Sequence, residues 1–279
     1  MRAIIILILA GVLLAAGCGR SSSDGREKVV AAFYPLAFAA QEIGGDKVDV
    51  ENLTPAGAEP HDLELSPRDV RDVREADLVL LLGHGFQPQL ERAAGGGDKV
   101  LKLLDTLGLN LFPNNDPHVW LDPQRYALIV RRIGTALHES DSAQLLVARL
   151  RALDRDYRHG LAHCARHEIV TSHEAFAYLS QRYGLRQVAI TGLSPEAEPA
   201  PRDLEHVIDL VRETKATTIF FETLVSPRIA ETVARDTGAK TAVLNPIEGL
   251  TPDEKDRGEN YFTVMRSNLA SLRKALGCR

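Results

Sequence analysis

Between residues 28 and 82, hydrophobic and polar positions follow two patterns, one typical of strands and one typical of helices. Short apolar or alternating runs predict strands at Lys28–Phe33, Lys47–Leu53 and Asp77–Leu82. Helix-like segments lie between them at Leu36–Ile43 and Ser66–Ala76, and the second begins with a serine N-cap followed by proline. Strands that alternate with helices indicate an α/β lobe with a mostly parallel sheet.

The same alternation recurs in the last part of the chain. Strands are predicted at Glu168–Ser172, Gln187–Thr191, Thr217–Glu222 and Thr241–Asn245, and helices at Glu174–Tyr183, Pro201–Thr214, Ser226–Thr237 and Asn260–Leu276. The fold class is therefore α/β, with two lobes that each have a mostly parallel sheet flanked by helices.

The middle of the chain is helical instead. Gln124–His138 carries its apolar residues on one helical face, and a second helix is predicted over Ser142–His163. Roughly 22 residues of helix span about 33 Å, which is long enough to join two lobes as a rigid element. We therefore divide the mature chain into a lobe at residues 29–141, a linking helix at 142–163 and a second lobe at 164–279.

The N-terminus is predicted to be a targeting segment. Arg2 precedes an apolar run from Ala3 to Ala16, which at about 14 residues is too short to span a membrane. Residues 1–17 therefore are predicted to be a signal peptide. Cys18 follows Ala-Gly, as in the lipidation motif of bacterial lipoproteins, although Ala15 replaces the usual leucine. Residues 18–28 then form a polar tether, so the protein is expected outside the cytoplasm, anchored to a bacterial membrane by a lipid on Cys18.

Composition excludes several other classes of protein. The chain has 279 residues, 44% of them hydrophobic, and a formal net charge of -5. These values argue against a disordered chain and against a strongly basic nucleic-acid binder. Its three cysteines are too few for a disulfide scaffold. In an oxidising compartment Cys164 and Cys278 can either pair or remain thiols, and the sequence leaves both open.

Three of the nine histidines lie in loops or at a strand end. His61 is in a Pro/Gly-rich loop after a strand, His118 is in a proline-flanked turn, and His173 ends a strand. Ligands of open α/β sheets bind beyond the carboxyl ends of the strands, so three imidazoles could converge there on a metal ion. Each could instead be a loop or capping residue, because their spacing of roughly 55 residues is unlike a compact zinc motif.

The remaining histidines are less suited to a buried site. His84 follows an apolar strand and is interpreted as structural. The other five are interpreted as solvent-exposed because they lie among charged residues on or beside predicted helices: His138, His159, His163, His167 and His206.

Five segments resemble one known family. The strings PAGAEPHDLELSP, DPHVWLDP, TSHEAFAYLSQRYGL, GLSPEAEPAPRDL and FFETLVSPRIAETVARDTGAK are similar to motifs of the metal-binding components of ABC importers for zinc and manganese, in the family's order. The resemblance covers roughly Val29 to Leu276. It implies two α/β lobes joined by one long helix, with the metal ion held between them.

The resemblance also implies a ligand set. His61, His118 and His173 match the family's histidine ligands, and a histidine at the third position is typical of the zinc branch rather than the manganese branch. The family often has Asp-Pro at the fourth position, where this chain has Asn245. Three alternatives stay open there: Asn245 binds weakly, a water binds, or a nearby carboxylate (Glu59, Glu222 or Glu248) replaces it.

Other residues are expected to surround the ligands. Trp120 and Tyr178 are predicted to pack around the imidazoles and orient them, with a place in the plain core as the alternative. Glu222 is predicted to accept a hydrogen bond from a ligand histidine.

The function implied is capture of Zn²⁺ as a transported ligand, with Mn²⁺ as the alternative, and its delivery to the membrane permease of an ABC importer. The protein is expected to be monomeric and to bind no nucleic acid. A zinc-dependent hydrolase is a weaker hypothesis, because no His-Glu-x-x-His motif is present. An adhesin or a metallochaperone is a third hypothesis without support from any motif.

Overall fold

The computed structural model describes residues 25–107, 112 and 115–279. The predicted signal peptide at residues 1–17, the predicted lipidation site Cys18 and most of the tether lie outside the described residues. The strands are β1 Glu27–Ala31, β2 Val48–Asn52, β3 Leu78–Leu81, β4 Val100–Lys102, β5 Glu168–Thr171, β6 Arg186–Ala189, β7 Thr218–Phe221 and β8 Lys240–Val243. The helices are α1 Tyr34–Gly44, α2 Pro67–Glu75, α3 Pro88–Ala94, α4 Leu103–Leu107, α5 Pro123–Ala136, α6 Ser140–Leu161, α7 Ala177–Tyr183, α8 Pro201–Thr214, α9 Arg228–Thr237, α10 Pro252–Asp256 and α11 Tyr261–Leu276.

Two parallel sheets confirm the predicted fold class. The first has the order β2-β1-β3-β4 and the second the order β6-β5-β7-β8, and every neighbouring pair is parallel. The continuous apolar run of β3 is buried along its whole length, as expected for a strand covered on both faces. In each sheet the carboxyl ends of the parallel strands lie at one edge, and the loops after β2 and β5 carry His61 and His173, whereas His118 lies in the turn before α5.

Some short elements were not predicted. β4 has three residues and α4 and α10 have five each, too few for a clear hydrophobic period. α7 begins at Ala177 rather than at the predicted Glu174. The carbonyl of His173 accepts hydrogen bonds from the side chains of Thr171 and Gln187, and the amide of Glu174 donates to Gly192. These contacts hold the chain in a non-helical loop at the end of β5.

The long middle helix is α6, with 22 residues, beginning and ending two residues before its predicted bounds. Its apolar stripe of Leu146, Leu150 and Leu153 is buried. α6 packs closely against α5, where a side chain in place of Gly134 would lie 2.3 Å from the Cβ of Ala143. Only glycine permits this close approach between the two helices.

A disulfide joins Cys164, just after α6, to Cys278, just after α11. It therefore links the end of α6 to the end of α11.

One large apolar cluster includes residues from both sheets and from α5, α6 and α11, and a smaller one lies beneath α8 and α9. In the part of the chain that the structure describes, no helix is long and apolar enough to cross a membrane.

Candidate metal centre

His61 lies in the long loop after β2, within a single 3₁₀ turn at Pro60–Asp62. The carboxylate of Glu59 accepts a hydrogen bond from the backbone N–H of His61 at 3.1 Å and so fixes the start of this turn. The imidazole packs edge-on against Phe86, with 4.7 Å between the ring centroids. Its side chain is 13% exposed, whereas the side chains of His118 and His173 are completely buried.

His118 is completely buried in the turn that precedes α5. Asp116 orients it twice, because its carboxylate accepts the backbone N–H of His118 at 2.9 Å and faces the ring Nδ1 at 2.6 Å. The other ring nitrogen, Nε2, points away from Asp116 and lies 2.8 Å from a carboxylate oxygen of Glu248.

His173 is also completely buried, in the loop after β5. Its Nδ1 lies 2.5 Å from a carboxylate oxygen of Glu222, which follows β7 and also accepts the hydroxyl of Ser172. The hydrogen bond predicted between Glu222 and one of the three candidate histidines is thus present in the structure. Nε2 of His173 lies 3.4 Å from Nε2 of His118.

Glu248 supplies the fourth group of the cluster. It lies in the loop after β8 and is completely buried. Its Oε1 atom is 3.3 Å from His61 Nε2, 2.8 Å from His118 Nε2 and 3.5 Å from His173 Nε2. One atom from each of the four residues lies within 4.8 Å of the others, and among the described residues this is the one group of three or more such side chains so arranged.

These spacings fit a small tetrahedral ion. Zinc bonds nitrogen and oxygen at about 2.0–2.1 Å, so two ligand atoms of a tetrahedral site are separated by about 3.3 Å. Four of the six pairs of ligand atoms are separated by 2.8 to 3.5 Å, which surrounds that value, and all six pairs lie within 4.8 Å.

Asn245, one of the three alternatives for the fourth ligand, has its side chain hydrogen-bonded to other parts of the protein. The Asn245 carbonyl oxygen accepts the backbone N–H of Ile247 at 2.7 Å, and its amide nitrogen donates to Thr223 and Glu254. Both ends of the side chain therefore have protein partners: the oxygen within its own loop, and the amide nitrogen on the loop after β7 and on α10. Of the alternatives considered from the sequence, Glu248 is the one that the structure places with the three histidines. The sequence marked Glu248 only as a carboxylate in a Pro/Gly-flanked loop, just after the expected position of the fourth ligand.

The electrostatics of the cluster are dominated by its carboxylates. Burial alone would lower the pKa of His173, but hydrogen bonds to Glu222 and Glu248 outweigh it and raise the pKa to about 10. The pKa of His118 is likewise raised, because Asp116 and Glu248 outweigh burial. Burial would raise the pKa of Glu248, yet hydrogen bonds from the imidazoles hold it well below its usual value. The cluster thus holds a buried carboxylate that attracts cations.

Glu59 has a different role from Glu248. Burial raises the pKa of Glu59 to about 9, and the negative charge of Glu248 adds to the shift. Glu59 contacts the backbone of His61 and is not one of the four converging groups.

Trp120 and Tyr178 act on the site in different ways. The Trp120 ring lies 5.1 Å from that of His118, and its N–H donates to the carbonyl of Pro246 at 2.7 Å. It therefore connects the loop of His118 with the loop of Glu248. Tyr178 donates its hydroxyl to the backbone carbonyl of Asp116 at 2.9 Å, so it supports His118 through Asp116.

The histidines interpreted as structural or exposed are not members of the cluster. His84 pairs with Asp105 at 2.9 Å near the surface.

One family model matches nearly all of the described chain. The family model described as zinc-uptake complex component A, periplasmic (ZnuA), matches residues 29–275. The chain belongs to this family. The ZnuA family is one of metal-binding transport components and is not an enzyme family.

Individual members of the ZnuA family are similar over nearly the whole chain. The high-affinity zinc uptake system protein ZnuA of Bacillus subtilis is 33% identical over 98% of this chain and 97% of its own length. The zinc-binding lipoprotein AdcA of Streptococcus pneumoniae is also 33% identical, but this chain spans only 61% of it.

Solved structures agree with this assignment. The Zn(II)-bound ZnuA-like domain of Streptococcus pneumoniae AdcA superimposes with a TM-score of 0.77 at 35% identity, covering 90% of this chain and 99% of that one. The laminin-binding protein Lmb of Streptococcus agalactiae, described as a bifunctional protein with adhesin and metal-transporting activity, gives a TM-score of 0.81 at 32% identity, covering 90% and 99% of the two chains.

Proposed function

We propose that this protein is the extracytoplasmic binding component of an ABC importer, that it captures one zinc ion, and that its ligands are His61, His118, His173 and Glu248. The observation that supports this most strongly is the convergence of three Nε2 atoms and one carboxylate oxygen at separations suited to a tetrahedral ion.

The donor set favours zinc over manganese. Imidazole suits zinc, whereas manganese prefers carboxylate, carbonyl and water oxygens in octahedral geometry. Three imidazoles with one carboxylate give a mostly nitrogen site of four ligands. The affinity series of divalent ions also places zinc above manganese for the same ligands.

Four protein ligands also argue for binding rather than catalysis. A catalytic zinc site typically has three protein ligands and keeps one position open for water or substrate. In this cluster Glu248 occupies the position that an open site would leave to water. The hydrolase hypothesis therefore lacks the coordination position that its chemistry requires.

A competition experiment tests the proposal. Purified protein is exposed to equal concentrations of Zn²⁺ and Mn²⁺, and the bound metal is measured directly by mass spectrometry. We expect one zinc ion per chain and little manganese. A majority of bound manganese, or binding of neither ion, would contradict the proposal.

Matched variants locate the site in the same assay. His118→Ala is expected to weaken zinc binding by more than the roughly 10- to 100-fold typical of losing a hydrogen bond behind a ligand. His84→Ala is the control, because His84 lies outside the cluster and pairs with Asp105. Unchanged zinc affinity in His118→Ala would show that the ion binds elsewhere.

We further propose that a lipid on Cys18 anchors the protein and that a membrane permease receives the ion from the monomeric protein. The lipidation motif and the lipoprotein relative AdcA support the anchor. Expressed in bacteria, the Cys18→Ala variant is expected in the soluble fraction and the unchanged protein in the membrane fraction. Equal partition of both proteins would contradict the anchor.

A further inference from the structure

Asn245, which does not join the metal cluster, lies three residues before Glu248 at the centre of a buried polar network. Asn245 is only 3% exposed, and its carbonyl oxygen accepts the backbone N–H of Ile247 at 2.7 Å. This hydrogen bond closes a tight turn immediately before Glu248.

The turn has a conformation that its sequence does not favour. Ile247 has a φ of 58°, in the left-handed region where a β-branched side chain is strained. Ile247 is completely buried. Such a conformation persists only where the surrounding structure imposes it, and the hydrogen bond from Ile247 to Asn245 is one contact that does so.

A second asparagine holds Asn245 in turn. Asn268, buried in α11, accepts the backbone N–H of Asn245 at 2.9 Å and donates to its backbone carbonyl at 2.7 Å. The Asn245 amide nitrogen donates to Thr223 at 2.9 Å and to the Glu254 carboxylate at 3.2 Å. Every polar group of Asn245 therefore has a partner, and these partners lie on its own loop and on three other segments of the chain.

From this geometry we infer that Asn245 is a positioning residue for zinc capture, which holds the strained turn that aims the Glu248 carboxylate at the three imidazoles. This inference rests on the proposed zinc ligands. An aspartate at this position would lose the amide donor and place a second carboxylate against Glu254, which accounts for asparagine here.

A double-mutant cycle tests the inference. Zinc dissociation constants are measured for the unchanged protein, Asn245→Ala, Glu248→Gln and the double variant. Asn245→Ala is expected to weaken zinc binding about tenfold when Glu248 is present, by analogy with other outer contacts of metal ligands. It is expected to change binding less than about twofold in the Glu248→Gln background, because the group that it positions is then absent.

Two outcomes would overturn the inference in distinguishable ways. If Asn245→Ala weakens binding equally in both backgrounds, or in neither, the positioning role is wrong while the ligand set stands. If Glu248→Gln alone leaves zinc affinity unchanged, the proposed ligand set is wrong and the positioning role falls with it.

Controls separate positioning from general loss of stability. Val211→Ala removes part of a buried side chain of α8 in the smaller apolar cluster, away from this turn, and is expected to lower stability but not zinc affinity. Asn268→Ala tests the same network one step further out, should Asn245→Ala fail to fold. Bound Co²⁺ gives a second readout: its visible spectrum in Asn245→Ala is expected to move toward that of Glu248→Gln, and an unshifted spectrum would contradict the inference.

Discussion

At the scale of single residues, two buried imidazoles of the cluster are oriented by carboxylates on the side facing away from Glu248. Asp116 faces Nδ1 of His118, and Glu222 faces Nδ1 of His173. A carboxylate at Nδ1 keeps the proton on that nitrogen and leaves the lone pair of Nε2 for a metal. The two acids therefore decide which ring nitrogen can bind.

Replacing one of these acids tests the arrangement. Glu222→Gln is expected to weaken zinc binding by roughly 10- to 100-fold, because the amide is a weaker hydrogen-bond acceptor for His173 than the carboxylate. Competition with a fluorescent zinc chelator measures the change. Asp105→Asn is the matched control, since Asp105 pairs with the surface residue His84. An affinity for zinc in Glu222→Gln within about twofold of the unchanged protein would refute this role.

Zinc binding is also expected to release protons at neutral pH. Glu222 and Glu248 raise the pKa of His173 from 6.5 to about 10 against the effect of burial. A raised pKa stabilises the folded protein without metal below about pH 6.5, and this contribution is lost as the pH rises through about 10. Zinc must displace the proton, so its affinity is expected to increase with pH across this window.

Calorimetry detects these protons directly. The observed heat of zinc binding at pH 7 is expected to differ between two buffers of different ionisation enthalpy, in proportion to the protons released. Identical heats in both buffers would show that the imidazoles are already neutral before zinc binds.

At the scale of elements, an ionic network joins the helices α5, α6 and α7. Asp154 of α6 accepts hydrogen bonds from Arg182 of α7 at 2.6 Å and from Arg158 at 3.2 Å. Arg182 also lies 3.2 Å from Asp122, the N-cap of α5. Burial would raise the pKa of Asp154, but the hydrogen bonds from both arginines lower it overall.

Asp154→Ala is expected to reduce the free energy of unfolding by about 1–3 kcal/mol at pH 7, because it removes a largely buried partner of Arg182. The lowered pKa means that this stabilisation is present above about pH 4 and is lost as the pH falls through the folded value. Urea denaturation measures the change. Asp209→Ala, which breaks an exposed pair with Arg212, is expected to change stability by less than about 1 kcal/mol. Equal losses in the two variants would contradict a structural role for the network.

Most elements could be predicted because their periodicity is local. α6 and the buried strand β3 have clear hydrophobic patterns, and structure and sequence agree on them to within about two residues. The start of α7 could not be predicted, because a hydrogen bond from Gln187, a residue of the next strand, helps to hold His173 in a loop.

In the site, too, contacts between residues far apart in the sequence could not be predicted. The motifs of the family indicated three imidazoles, whereas Asn245 and Glu248 could be distinguished only by tertiary contacts. The backbone N–H of Asn245 donates to Asn268, and its side-chain amide donates to Glu254. The left-handed turn at Ile247 comes directly before Glu248, whose side chain reaches the three imidazoles. Asp116 was missed because no local pattern marks a carboxylate that will face a histidine two residues later.

At the scale of the whole molecule, the disulfide closes a long segment of the chain. Cys164 and Cys278 are 114 residues apart and hold the ends of α6 and α11 together. Linking positions this far apart removes conformational freedom from the unfolded chain, in the entropic account of disulfide stability.

Removing the bond by Cys164→Ser together with Cys278→Ser is expected to reduce the free energy of unfolding by about 2–5 kcal/mol. Zinc affinity is expected to stay the same, because neither cysteine belongs to the metal cluster. Thermal and urea unfolding of the two proteins, alongside zinc titration, measure both quantities. A large loss of zinc affinity would mean that the bond also shapes the site.

The four candidate ligands come from both halves of the chain. His61 and His118 come from segments around the first sheet, and His173 and Glu248 come from loops after strands of the second. A bound ion is therefore expected to bridge the two halves of the chain.

Crystals of the zinc-loaded protein, measured with X-rays tuned to the zinc absorption edge, test this central claim most directly. The anomalous difference map is expected to show one strong peak at about 2.0–2.2 Å from Nε2 of His61, His118 and His173 and from a carboxylate oxygen of Glu248. A peak bonded to Asn245 or Glu59 instead of Glu248, or a peak away from the three imidazoles, would contradict it.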